Sequence, residues 1–154
     1  MLDYPNYWGV AGYPISHSLT PRLFEILGDF LGSGSVKTVF LEAGDADEFF
    51  QRVEKLEGEL WISCTSPLKH SVWKRLGCES EEEIQAVNQL VRMDGEWSVS
   101  NSDGRGFIMA CRHIGVEPGG SILRIRGGGS TARSIAYSWS KEGGQIIPVR
   151  GRRA

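Results

Sequence analysis

The chain has 154 residues, 40% apolar and 23% charged, a normal composition for a soluble globular protein with room for one compact domain and part of another. No apolar run approaches the ~18 residues a membrane span requires, and MLDYPNYWG lacks the charged-then-apolar build of a secretory signal, so a cytoplasmic protein without a membrane partner is expected. The net charge of −2 is unevenly spread: residues 1–123 carry 10 basic and 18 acidic side chains, whereas residues 124–154 carry 7 basic ones and Glu142 alone. That pattern excludes a general nucleic-acid surface and points to a localised anionic ligand, such as a phosphate, near the C-terminal end.

YWGVAGY (7–13) reads as a buried strand. Thr20-Pro21 opens a helix, the hydroxyl able to cap and the proline suited to the first turn. Leu23, Ile26, Leu27, Phe30 and Leu31 then recur at helical spacing, which predicts one buried face. VKTVFLEAG (36–44) is a second strand, and DADEFFQRVEKL (45–56) a helix with Asp45 and Glu48 at capping-box spacing. ELWISC (59–64) is a third strand. Ser66-Pro67 starts the next helix, with Leu68, Val72 and Leu76 inward and an end near Gly77.

ESEEEIQA (79–86) has the composition of a short acidic helix, and VNQLVRMDGEWSVSN (87–101) reads as a hairpin turning at Asp94-Gly95. A helix from about Asp103 to His113 leads through GVEPGG (115–120) into a strand, a Gly-rich turn and a further helix, LRIRGGGSTARSIAYSW (123–139). The three cysteines, Cys64, Cys78 and Cys111, are odd in number and lack metal-ligand spacing, so no disulfide framework or metal site is expected; they read as small buried residues. Strands alternating with helices predict an α/β protein: a three-layer αβα domain on a mainly parallel sheet over residues 1–102, then the first part of a Rossmann-like nucleotide-binding domain over residues 103–154. Ligands of such sheets bind at the carboxyl ends of the strands.

Three polar segments follow predicted strands: PISHSLTP (14–21), SCTSPLK (63–69) and SNSDGRGF (100–107). Together they offer hydroxyls, an amine and a carboxylate. Lys69 falls in the first turn of its helix, where a cation opposes the positive end of the helix dipole at a typical cost of ~0.3–1 kcal/mol, so helix stability does not account for it. Asp103, at a helix start, is placed to cap free backbone amides and to hold a cation at the same time.

The turn Gly127, Gly128, Gly129, with Ser130, Thr131 and Ala132 opening the helix, fits G-x-G-x-x-A between strand and helix. The glycines let the backbone approach a pyrophosphate that rests on the helix N-terminus. About 20 residues on, the acidic residue expected for NAD is replaced by Arg150, Arg152 and Arg153, which suit the 2′-phosphate of NADP. Arg124 and Arg126 share one face of the strand before the turn, so that face is expected to be solvated.

The segments GYPISHSLTP, SCTSPLK, AVNQL and NSDGRGF resemble, in order and spacing, the GxPISHSLSP, NVTxPxK, AVNTL and NTDxxG segments of the shikimate dehydrogenase family, and the likeness runs on through GGGSTARSIAYSW. It implies an NADP-dependent oxidoreductase of aromatic amino acid biosynthesis that interconverts shikimate and 3-dehydroshikimate, with quinate as the alternative substrate. By that resemblance Lys69 and Asp103 are the catalytic pair at the substrate hydroxyl, Ser16 and Ser18 bind the substrate carboxylate, and Thr65 and Asn88 read ring hydroxyls or hold the carboxylate. Which of Lys69 and Asp103 moves the proton stays open. His17 is expected to face away.

Ser63 and Gln89 stand where the family has asparagine and threonine, and Ser102 is a milder change of the same kind. The resemblance also implies a chain shortened at its C-terminus, because the later nucleotide-binding strands have no counterpart. A strand-helix-strand piece has little core of its own, so it must pack on the first domain, pair with another chain in a homo-oligomer, or stay poorly ordered. The rival reading is a non-catalytic relative that binds shikimate or quinate without turnover.

Overall fold

The computed structural model describes residues 4–33, 36–77 and 83–151. The chain divides into two compact units, one holding residues 4–77 and 86–100, the other residues 83–85 and 101–151.

The first unit is built on a five-stranded sheet in the order β2-β1-β3-β4-β5. Strand β1 (Tyr7–Gly12) is central, parallel to β2 (Lys37–Glu42) on one side and to β3 (Leu60–Cys64) on the other. The hairpin of β4 (Gln89–Met93) and β5 (Glu96–Ser100) adds antiparallel to β3. Its turn is Asp94-Gly95, both at positive φ (52° and 80°), the backbone that matches a two-residue loop to the twist of the strands.

Helix α2 (Ala46–Val53) and helix α3 (Leu68–Leu76) cover one sheet face. Their Phe49, Val53, Leu68 and Val72 close over Ala11, Leu41, Leu60, Ile62 and Leu90 to make the core, with Phe49, Phe50 and Trp97 in mutual ring contact. Asp45 Oδ1 accepts from Glu48 N at 2.9 Å, while Glu48 Oε2 accepts from Gly44 N at 2.7 Å, so the capping pair predicted from the sequence forms one residue out of the usual frame.

Helix α1 (Thr20–Leu31) lies on the opposite face, where Phe24 stacks on Trp8 at 5.5 Å between ring centroids. Two expectations for α1 fail. Its buried residues are Pro21 and Gly28, whereas Leu23, Ile26, Leu27, Phe30 and Leu31 face outward. Periodicity reveals that a helix has an apolar face, not whether the sheet covers it. Nor does Thr20 cap the helix: Leu19 is the N-cap without a side-chain bond, and Ser18 Oγ accepts from Thr20 N at 3.3 Å.

In the second unit, α4 (Asp103–His113) and α5 (Ser130–Lys141) pack together, and α5 covers a parallel pair of β6 (Ile122–Arg126) and β7 (Gln145–Val149). Arg124 and Arg126 are exposed, as their shared strand face predicts. Part of ESEEEIQA lies outside the described residues; residues 83–85 form a turn rather than a helix, with Gln85 at φ 54°. Cys64 is buried, Cys111 is only half-buried, contrary to expectation, and Cys78 lies outside the described residues.

Candidate functional site

Within the first unit the polar segments collect at the carboxyl ends of β1 and β3. The loop after β1 is tied to the loop after β3 by Tyr13 N donating to Ser66 O at 3.0 Å, and Thr65 N donates to Ala11 O at 2.8 Å. Gly12 is required between them, since a Cβ there would run into the Thr65 methyl and the Ser66 carbonyl. The result is a cleft of about 280 Å³ lined by Tyr13, Pro14, Ile15, His17, Ser18, Thr65 and Ser66. Ser18 and Thr65, from different loops, thus share one concavity. His17, expected to face away, is also in its wall; the peptide bond before Pro14 is cis, as is that before Pro67.

The remaining candidates of this unit border the same sheet end. Lys69 sits in the first turn of α3, half-buried, and its carbonyl accepts from Val87 N at 2.9 Å. Asn88 is held between strands: its carbonyl accepts from Cys64 N at 2.8 Å and its N–H donates to Ser100 O at 3.0 Å. The backbone of the AVNQL segment is therefore pinned both to the end of β3, just before Thr65, and to the helix that carries Lys69. Ser16 is exposed and Asn88 half-buried. Of the family-position changes, Gln89 Oε1 accepts from Ser100 Oγ at 2.8 Å, so it is held within the β4/β5 ladder.

In the second unit, Asp103 is the first residue of α4 and not its cap. Ser102 is the N-cap, without a side-chain cap bond, and Asn101 Oδ1 accepts from Asp103 N at 3.1 Å and from Ser134 Oγ at 2.8 Å, an Asx-type turn leading into the helix. The Asp103 carboxylate is thereby turned toward α5, where Oδ2 accepts from Thr131 Oγ1 at 2.8 Å. Ser134, fully buried, accepts from Gly104 N at 2.9 Å and completes the network. Asn101 and Ser134 were missed in the sequence; Asn at i−2 from a helix start is a local signal that could have found the first, but Ser134 acts across about 30 residues.

The Gly-rich turn is open. Gly127 has φ 99°, and a Cβ at Gly127, Gly128 or Gly129 would meet nothing within 4 Å among the described residues, which leaves room there for a ligand. Helix α5 begins at Ser130 after the N-cap Gly129, which makes no side-chain cap bond, and a helix N-terminus of this kind suits an anionic acceptor. The residues present therefore suit a pyrophosphate, with one adjustment: the Thr131 hydroxyl is engaged by Asp103, so the backbone of the turn is the better donor set. Arg133, another residue missed in the sequence, braces the turn by donating from its guanidinium to Gly128 O at 3.2 Å and to Ile84 O at 3.0 Å.

Arg150 directly follows β7 and is exposed at the same strand end, since Gly127 N donates to Val149 O at 3.4 Å. Arg152 and Arg153 lie outside the described residues. Among the described residues no group of three metal-ligating side chains occurs, and no helix is long and apolar enough to cross a membrane.

No family model matches the chain. Among curated proteins it is 30% identical over 152 residues to the shikimate dehydrogenase (NADP(+)) of Alkaliphilus metalliredigens, covering 97% of this chain and 53% of that protein. It is 32% identical over 148 residues to the enzyme of the same name from Rubrobacter xylanophilus, covering 94% and 52%. Over nearly its whole length the chain is thus similar to shikimate dehydrogenases. The crystal structure of the Aquifex aeolicus shikimate dehydrogenase superposes with a TM-score of 0.79 at 27% identity, over 100% of this chain and 58% of that one. This shikimate dehydrogenase relative thus spans about half the length of the proteins it matches.

Proposed function

We propose that this chain carries the substrate-binding and first nucleotide-binding elements of a cytoplasmic, NADP-dependent oxidoreductase that interconverts shikimate and 3-dehydroshikimate in aromatic amino acid biosynthesis. The observation that carries the reading is the cleft in which Ser18 and Thr65, two hydroxyls from separate loops, meet at the carboxyl ends of parallel strands. A small polyhydroxy acid is told from its analogues by matching its donors and acceptors, and a wall of hydroxyls does so without a competing charge.

Ser16 and Ser18 bind the carboxylate of the acid. Thr65 and Asn88 bind ring hydroxyls or share the carboxylate. NADP, when bound, supplies acceptance or donation of the hydride. Oxidation of the alcohol also requires its hydroxyl proton to leave, and Lys69 and Asp103 are the residues proposed to handle that proton, since an amine or a carboxylate can exchange it. Gly127, Gly128, Gly129, Ser130 and Ala132 would hold the pyrophosphate through their backbone, with Thr131 bound to Asp103. Arg150, Arg152 and Arg153 would hold the 2′-phosphate.

A spectrophotometric assay of the purified chain with shikimate and NADP, with quinate and NAD in parallel, tests this together with calorimetric titration of each acid. Reduction of NADP that depends on shikimate is the expected result. Failure of the chain to bind either acid would overturn the assignment of the cleft, and binding without turnover would confine the chain to its substrate-holding role.

A further inference from the structure

Arg133 lies in the first turn of α5, which begins at Ser130. A cation this close to a helix N-terminus opposes the positive end of the helix dipole, so helix stability gives no reason for it. Its contacts do. The main-chain N–H of Arg133 donates to Gly129 O at 3.0 Å, and its guanidinium donates through Nη1 to Gly128 O at 3.2 Å. One residue therefore holds two successive carbonyls of the Gly-rich turn.

The guanidinium is itself anchored. Its Nε donates to Ile84 O at 3.0 Å, and Ile84, in the same unit, is only 3% exposed. One turn further along α5, Tyr137 Oη donates to Glu83 Oε1 at 3.4 Å, so this segment is fastened to the helix twice. Arg133 thus reaches from a fixed point to a turn whose three glycines have no side chains to hold it.

We propose that Arg133 is a positioning residue for the anion-binding turn: by holding the carbonyls of Gly128 and Gly129, it directs the amides of Gly129 and Ser130 away from itself, toward a phosphate group. These peptide bonds are trans, and in a trans peptide the C=O and the N–H leave opposite edges of one plane. Fixing each carbonyl therefore fixes the direction of the next residue's N–H. Successive N–H groups directed alike make a concave site for an anion. Glycine peptides are otherwise readily reoriented, and ordering them on binding would reduce affinity, whereas Arg133 orders them beforehand. The inference rests on the nucleotide assignment made above and adds to it a residue that acts through the turn.

Equilibrium titrations of the whole chain with NADPH and with 2′-AMP test it. The smaller nucleotide offers a 2′-phosphate without a pyrophosphate, so it reports the remainder of the nucleotide site. Arg133→Met keeps the length of the side chain and removes its donors. It should weaken NADPH by roughly five- to tenfold and 2′-AMP by less than about twofold, the effect of partly exposed charged hydrogen bonds. Arg133→Lys, which keeps a charge and a donor, should recover part of the loss. In native chain NADPH should slow hydrogen exchange at the Gly129 and Ser130 amides, and in Arg133→Met it should slow them less. Where Arg133→Met speeds exchange along all of α5 without ligand, Arg133→Lys carries the test, and NADPH alone should bind more weakly. Undiminished NADPH affinity in both variants, or equal losses for NADPH and 2′-AMP, overturns the positioning role while leaving the nucleotide assignment standing. A native chain that binds neither ligand overturns that assignment and this inference with it.

Discussion

Thr131 Oγ1 donates to Asp103 Oδ2 at 2.8 Å, joining the first turn of α5 to the first turn of α4. A residue of the Gly-rich segment therefore holds the carboxylate proposed for proton handling, so the proposed nucleotide-binding and catalytic roles can be tested through one hydrogen bond.

Replacing Thr131 by Val keeps the shape and removes the hydroxyl. A hydrogen bond to a charged group contributes about 1.5–3 kcal/mol when sheltered and less when exposed, as here, so a fall in kcat of roughly three- to tenfold is expected. Thr131→Ser should recover most of it. Steady-state kinetics with shikimate decide the matter, and a Thr131→Val chain with unchanged kcat would remove Thr131 from any positioning role.

Two glycines in the first turn of α4 should respond with opposite sign. A Cβ at Gly104 would strike the Ser134 carbonyl and the Ser138 hydroxyl, so Gly104→Ala should destabilise the second unit by about 1–3 kcal/mol. A Cβ at Gly106 meets nothing within 4 Å, and Gly106→Ala should stabilise by about 0.5–1 kcal/mol through helix propensity. Hydrogen exchange of the α4 and α5 amides would read both.

Lys69→Ala should lower turnover by orders of magnitude while the fold is kept, as circular dichroism would show, and the bond from Val87 N to the main-chain carbonyl of residue 69 survives the substitution. Near-normal turnover in this variant would end the catalytic assignment of Lys69.

Arg112 bonds Glu117 and Glu142, each at 2.9 Å, and these partners hold its guanidinium above its ordinary pKa, the hydrogen bond to Glu117 being the largest cause. A folded-state value raised above the unfolded one adds stability that is complete below the unfolded pKa and is lost only at higher pH, well outside the neutral range. The Tm difference between the native chain and Arg112→Gln should therefore be small and constant across neutral pH and should shrink with added salt, since these side chains are partly exposed. A difference that varies steeply near pH 7 would contradict this account.

Local chemistry was enough for much of the architecture. The limits of α4, the Asp94-Gly95 hairpin, the end of α3 at Gly77 and the succession of strands along the chain follow from propensity, turn geometry and period, all of which act over a few residues. Local chemistry marked the polar segments that hold Ser18, Thr65 and Lys69, just after a strand or at a helix start; it was the resemblance of those segments to a known family that made the residues candidates. What the linear pattern could not decide was which surfaces meet. The apolar stripe of α1 looked like core, yet the sheet takes only Pro21, Phe24 and Gly28, because covering a helix depends on elements far away in the chain. Asp103 looked like a cap, yet it is the first helical residue after the N-cap Ser102; Asn101 accepts from its N–H and from Ser134 Oγ, some 30 residues on, and its carboxylate accepts from Thr131. The sequence by itself determined the elements and their chemical endowment, since these depend on neighbours along the chain; only the tertiary structure decided their partners, since contact energy depends on distance in space.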